Sequence, residues 1–287
     1  MSAYRFCRTD DIGLLVDALN RCWAPYFPDE PPMTPAEFKR SIRDLQVWCS
    51  SCMVAFSGAD PIGVLIGAKR TAGTLIHRIA VHPDHVRQGH GRHLLTPLSS
   101  KLAILGPPRI VAEVPETSAA ARRLFEACGY VEETVLTDYV LDNDAEITRR
   151  ERAPLESASR MVIPVTIDDL AANGLLDSQG PVCWERSVET LMARKAEIEG
   201  LAVASDERIE AYILYIKETN ELLAVHGLVD GAEVHMSRLM YQLRSRGLWA
   251  LRFLKVHPAE VSPETLQSLG FHSEARHRRY AASARSG

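Results

Sequence analysis

Apolar residues along this chain follow two rhythms, short strand-like runs and stripes at helical spacing, and the two alternate in an order that occurs twice. In the first half, residues 4–7 predict a short strand. Ile12, Leu15, Val16, Leu19 and Trp23 share one helix face behind an aspartate cap, Asp10 or Asp11. Residues 23–32 are too rich in proline for a helix and unusually aromatic for a loop, and Thr34-Pro35 opens a second helix running through Arg43. Two apolar runs, 53–56 and 62–68, flank the turn at 57–61 and predict an antiparallel hairpin. A strand from Leu75 breaks at His82-Pro83-Asp84, passes through a glycine-containing turn at 87–92 and continues as a helix with Leu94, Leu98, Leu102 and Leu105 on one stripe. Pro97 falls inside that helix and is expected to kink it. Residues 109–114 form the next strand. Ser118 then caps a helix that turns Ala121, Leu124, Phe125 and Cys128 inward and stops at Gly129, and 135–141 close the half as a strand.

The second half repeats the order. Strand 161–167, a helix from Asp168, helix 184–195, strands 201–204, 209–216 and 222–229, helix 233–246, strand 251–256, helix 263–269 and a last strand near 276–281 are expected. Residues 142–160 between the halves are charged, poor in large apolar residues, and read as a linker. The division is therefore a domain at 1–141, the linker 142–160 and a second domain at 161–287. His77 and His226 occupy the same point of equivalent strands, Gly106 corresponds to Gly247, and Gly129 to Gly270. Between the histidine and the glycine ending the next helix, the second copy is eight residues shorter. The shortfall falls where the first copy carries its glycine turn, so the second copy is expected to lack it.

Composition narrows the class. Of 287 residues, 46% are apolar and 24% charged, a balance that buries a core. A net charge of −4 excludes a general nucleic-acid or membrane-surface binder. The first residues lack the apolar run of a signal peptide, and no stretch approaches the ~20 apolar residues of a membrane span, so a cytoplasmic protein is expected. Six scattered cysteines do not resemble a disulfide framework. Cys49 and Cys52 form a C-x-x-C with no second pair to complete a zinc site and a strand, not a helix, after it. They read as half-buried thiols, and no metal is expected.

The turn at 87–92 is where chemistry concentrates. A strand feeding such a turn at a helix N-terminus leaves backbone N–H groups unclaimed and adds the positive end of the helix dipole, an arrangement suited to a diphosphate. Gly89 and Gly91 lack side chains that would hold a diphosphate away.

Two stretches, IAVHPDHVRQGHGRHLL (79–95) and SAAARRLFEACGY (118–130), resemble motifs of the GNAT superfamily of acyl-CoA-dependent N-acetyltransferases. The first is similar to the acetyl-CoA motif Q/R-x-x-G-x-G/A, the second to the following helix ending Leu-Tyr-x-x-x-Gly-Phe. The element order agrees across residues 4–141, and the second half resembles the same fold without the signature loop. The implied class is α/β, of the α+β kind: two tandem GNAT-like domains, each a mixed, largely antiparallel sheet flanked by helices.

The resemblance implies acetyl-CoA as co-substrate, held by Ile79, Ala80, Val81, Arg87, Gln88, Gly89, His90, Gly91, Arg92, Ser118 and Phe125. A backbone N–H near Ala80 or Val81 would polarise the thioester carbonyl. The reaction implied is direct attack of a neutral primary amine of a small molecule or peptide. His77 stands where relatives often carry the base that deprotonates the amine. It also shares a strand face with Leu75, Ile79 and Val81, and His226 recurs at the same position, so a core histidine is the competing reading. Glu113 on the next strand is a weaker substitute. The acceptor would enter under the 23–32 loop, with Asp29 and Glu30 attracting an ammonium while Trp23, Tyr26 and Phe27 meet an apolar body; a clamp on the domain's own edge is the alternative.

Two residues depart from the pattern. Val86 replaces the motif's first Gln or Arg, a small loss where backbone amides do most of the holding. Phe125 replaces the tyrosine that protonates the departing thiolate, and phenylalanine has no proton to give. Three readings follow: a tandem N-acetyltransferase, which is favoured; an acyl-CoA-binding sensor or partner-binding module without turnover; and a tandem transferase of specialised, amino-sugar metabolism. A monomer or homodimer is expected.

Overall fold

The computed structural model describes residues 2–142, 160–176 and 181–284. The linker expected at 142–160 lies outside these residues except for its two ends. The chain divides into two compact units, Met1–Thr134 with Arg278–Gly287, and Val135–His277.

Unit 1 orders its strands β1-β2-β3-β4-β5-β12. These are β1 (Ser2–Phe6), β2 (Met53–Ser57), β3 (Asp60–Arg70), β4 (Gly73–Val81), β5 (Arg109–Pro115) and the end of β12 (His272–Ser283). The first four pair antiparallel in sequence order, so the expected hairpin forms, and β4 pairs parallel with β5. Helix α1 (Ile12–Cys22) buries Leu15, Val16 and Leu19 of the predicted stripe together with Ala18 and Cys22, whereas Ile12 is only half-buried and Trp23 falls just past the helix end. Asp11 stands at its N-cap, but its carboxylate accepts from the Arg5 guanidinium and the Arg8 amide instead of capping the helix. Helix α2 (Pro35–Leu45) starts from a capping box in which the Thr34 hydroxyl and the Glu37 carboxylate satisfy each other's backbone amides. Helices α3 (His90–Leu105) and α4 (Ala119–Ala127) complete the unit, and Pro97 sits inside α3 without ending it. Leu94, Leu95, Leu98 and Leu102 pack with Ile110, Ala112, Val114, Phe125 and Tyr130. Tyr280, from the last strand of the chain, is fully buried in the same core.

Unit 2 repeats the plan in the order β6-β11-β10-β9-β8-β7. Its strands are β6 (Val131–Leu141), from Val135 onward, β7 (Met161–Val165), β8 (Glu199–Ala204), β9 (Ile209–Ile216), β10 (Glu221–Gly227) and β11 (Leu251–Val256). Helices α5 (Ile167–Ala172), α6 (Val188–Ala193), α7 (Glu233–Ser245) and α8 (Pro263–Ser268) flank them. The strand expected through Ile167 ends two residues early because Thr166 and Asp169 form a second capping box. The single helix expected over 184–195 is divided into a 3-10 turn, Trp184–Arg186, and α6, with Ser187 extended between them.

Each unit thus completes its sheet with a strand from the other half of the sequence. The chain leaves unit 1 within β6 and returns to it within β12.

Candidate functional site

Strands β4 and β5 pair over only three positions, Thr74↔Ile110, Leu75↔Val111 and Ile76↔Ala112. Past these they part, and β4 continues to Val81 against β3 alone. The parting coincides with a bulge: Ile66 faces Arg78 and Gly67 faces Ile76, which leaves His77 as the extra residue. His77 and Glu113 are therefore the first residues beyond the last β4–β5 pair, one on each arm of the fork. Ile79, Ala80 and Val81 line the β4 arm, which pairs with β3 and meets no β5 residue beyond Ile76.

The fork leads to the loop. A 3-10 turn, Pro83–His85, starts where the His82 ring accepts the Asp84 amide, and Arg87 (φ 60°) and Gly89 (φ 86°) both take the left-handed conformation before α3 begins. A non-glycine residue in that region is uncommon, and strain of this kind gathers at binding sites. Among the described residues, no acceptor is found for the backbone amides of residues 87–92. Six donors at one helix N-terminus make the cradle-like arrangement in which an anion is expected from the sequence.

The side chains around it are used less uniformly. Arg87, Gln88 and Gly89 are exposed on the loop. Gly89 is required by its backbone angle. Gly91 has a different reason: a Cβ there would stand 2.9 Å from Leu124 Cδ2, so this glycine lets α3 approach α4. Arg92 donates to the Ala127 carbonyl at 3.1 Å, capping the end of α4. His90 points into the unit, with Nδ1 2.5 Å from the Tyr4 hydroxyl and Nε2 buried without a partner among the described residues. Burial, then neighbouring His85 and His93, lower its pKa and so favour the neutral ring. Ser118 stands at the N-cap of α4 without a side-chain cap bond.

Phe125 is buried in a cluster of three rings, edge-on to Tyr130 at 5.1 Å and stacked on Tyr280 at 6.1 Å. The Tyr280 hydroxyl donates to Glu126 at 2.9 Å. Burial raises the Tyr130 pKa, so that phenol holds its proton more tightly than a free one. The nearby phenols are thus poor proton donors in Phe125's place.

The 23–32 loop folds back on the β4 arm. Asn20 exchanges two hydrogen bonds with the Met33 backbone and pins the loop's ends. Trp23 stacks on Phe27 at 4.4 Å, its indole N–H donates to Glu30 at 3.1 Å, and the Tyr26 hydroxyl donates to the Val81 carbonyl at 2.7 Å. Asp29 is exposed. Glu30 does not wait alone for an ammonium: Arg78 lies 3.7 Å from it and 4.9 Å over the Trp23 ring. Arg78 belongs to none of the motifs above; in the sequence its one signal is a charge inside the apolar run Leu75–Val81.

Cys49 and Cys52 flank a 3-10 turn, and burial pushes both thiols up, which makes them poor nucleophiles.

Unit 2 contains the corresponding fork. Strands β10 and β11 pair in parallel at Glu221↔Arg252 and then part. Here the space is occupied. Arg186, 2% exposed, donates to the Leu223 carbonyl on β10 (3.2 Å) and to the Leu254 and Lys255 carbonyls on β11 (3.0 Å each). Its charge is met by buried Glu260 through two hydrogen bonds, and its guanidinium lies 4.5 Å over the Phe253 ring. The connection from β10 to α7 spans Leu228 to Ala232, against His82 to Gly89 in unit 1. The shortening is shared with the strand end and the helix and is not confined to the glycine turn. His226 is held half-buried near Tyr212, and burial lowers its pKa, partly offset by Glu260.

Known proteins agree with this geometry. Residues 14–130 match the acetyltransferase (GNAT) family. Over 92 residues the chain is 34% identical to the ribosomal protein bS18-alanine N-acetyltransferase of Escherichia coli K12, a match covering 32% of this chain and 56% of that enzyme. The chain thus spans little more than half the length of that relative. The fold is similar over 100% of the chain to a GCN5-related N-acetyltransferase from Sphaerobacter thermophilus (TM-score 0.70, 14% identity, 96% of that chain). It is also similar to a tandem GNAT protein from the clavulanic acid biosynthesis pathway (TM-score 0.63, 16% identity, 100% of both chains). The match to the GNAT family covers residues 14–130, and the chain as a whole shares the two-domain fold of these structures.

Proposed function

We propose that unit 1 transfers an acetyl group from acetyl-CoA to a primary amine by direct attack. The observation that carries this is the coincidence of the β4–β5 fork with the amide cradle at 87–92. The pantetheine amides are matched by the unpaired β4 arm and the pyrophosphate by the cradle, with exposed Arg87 adding charge. The thioester carbonyl then lies near Ala80 and Val81. The amine loses a proton to a base at the fork, His77 or Glu113, attacks the carbonyl carbon, and the C–S bond breaks as the tetrahedral intermediate collapses. A thiolate of pKa about 8–9 leaves without a strong acid, and water supplies its proton in place of Phe125.

Phe125 favours a second reading, an acyl-CoA-binding protein without turnover. Release of free CoA from acetyl-CoA, measured against a panel of amines, amino sugars and short peptides, separates the two. Amine-dependent release supports the transferase. Tight CoA binding with no release by any amine replaces it with the binding protein. A unit 1 that binds no CoA removes both.

A further inference from the structure

The acceptor's chemistry is written in the residue next to His77. Arg78 sits on the β4 arm, its side chain 22% exposed, and its guanidinium donates no hydrogen bond among the described residues. Its contacts are the face of Trp23 and an ion contact with Glu30 at 3.7 Å, beyond hydrogen-bond reach. Burial, working against Glu30 and Glu37, lowers its affinity for its proton, the mark of a cation held out of water without full compensation. A guanidinium in that state has a planar fork of donors to offer, and a carboxylate is the group that matches it. Trp23 holds the plane from one face, and the Asn20–Met33 clasp holds Trp23.

We infer that the acceptor is a small amino acid-like molecule whose carboxylate pairs with Arg78 while its amine reaches the base at the fork. This rests on the transferase reading above. Adjacency to His77 sets the span: amine and carboxylate belong to one small molecule. Glu30, already engaged by the Trp23 indole and facing Arg78, offers the ammonium end a second contact.

The test pairs amino acids with their amides: glycine with glycinamide, β-alanine with β-alaninamide, and 4-aminobutanoate with its amide, each assayed by CoA release. At least one acid is expected to exceed its amide in kcat/KM by about 10- to 100-fold, mostly through KM. Arg78→Met should collapse that ratio towards one, and Arg78→Lys should restore part of it. Equal use of acid and amide by the wild type overturns the inference while leaving the transferase reading intact. For a wild type that turns over no amine, calorimetry with N-acetylglycine and its methylamide on the CoA-bound protein decides the point. No preference for the acid there also overturns it.

Discussion

In unit 1, β4 and β5 pair over three residues and part at His77 and Glu113; in unit 2, β10 and β11 pair at one position and part around Arg186. The element order on either side is the same. Parting two parallel strands leaves carbonyls and amides that a buried fork must satisfy. Unit 2 does so from within, with one guanidinium bridging both arms and Glu260 neutralising it. In unit 1 the arms carry His77 and Glu113, and six backbone amides at 87–92 find no acceptor among the described residues. The same scaffold thus carries a buried arginine across the fork in one copy and a longer, glycine-containing connection after the fork in the other.

The largest effect should come from emptying the filled fork. Arg186→Met leaves Glu260 buried without its partner, and removing one member of such a pair costs about 3–5 kcal/mol. Urea unfolding should show that loss in unit 2, whereas Arg186→Met combined with Glu260→Leu should recover much of it. CoA calorimetry should give one site per chain in the wild type, because Arg186 fills the fork of unit 2. Two sites in the wild type would end the contrast between the forks.

The open fork should respond differently at its two glycines. Gly89→Ala forces a side chain into the left-handed region at a cost of about 1–2 kcal/mol, and much of that strain should appear as weakened acetyl-CoA binding, since the same backbone aims the amides. Gly91→Ala should instead act through Leu124, lowering stability by about 1 kcal/mol while leaving the cradle's angles alone. Combined with Leu124→Ala, its cost should be less than additive. A Gly91→Ala protein with unchanged stability and lost acetyl-CoA affinity would return Gly91 to the cradle.

Much of this was readable in advance, and the failures share a cause. The cradle is local: a strand, a turn with Gly89 and a helix follow one another within a few residues, so spacing alone locates it. The reason for Gly91 is Leu124, on another helix, and no local pattern reports it. Arg186 lies in the stretch expected as a helix over 184–195; its burial depends on carbonyls of β10 and β11 far along the chain. Tyr280 follows a run of basic residues that reads as a solvated edge, yet it enters the core of unit 1 because β12 crosses between units. Arg78 was locally visible as a charge in an apolar strand. Its meaning came only with Trp23 folding over it.

The smallest effect concerns pH. His90 has a lowered pKa in the folded protein because it is buried behind the cradle, with His85 and His93 nearby. The unfolded chain therefore binds a proton at higher pH than the folded one. Stability from this group is fully present above the ordinary histidine value of about 6.5 and declines as pH falls through that value towards the lower folded one. His90→Gln, which keeps a polar atom for the Tyr4 hydroxyl but cannot titrate, should flatten that limb of the stability–pH curve. Acetyl-CoA binding by the wild type should weaken over the same range if the imidazolium, forced out of its pocket, carries the start of α3 with it. A wild-type curve that overlays that of His90→Gln between pH 7 and pH 5 would show that His90 fills space behind the cradle and does not couple it to protons.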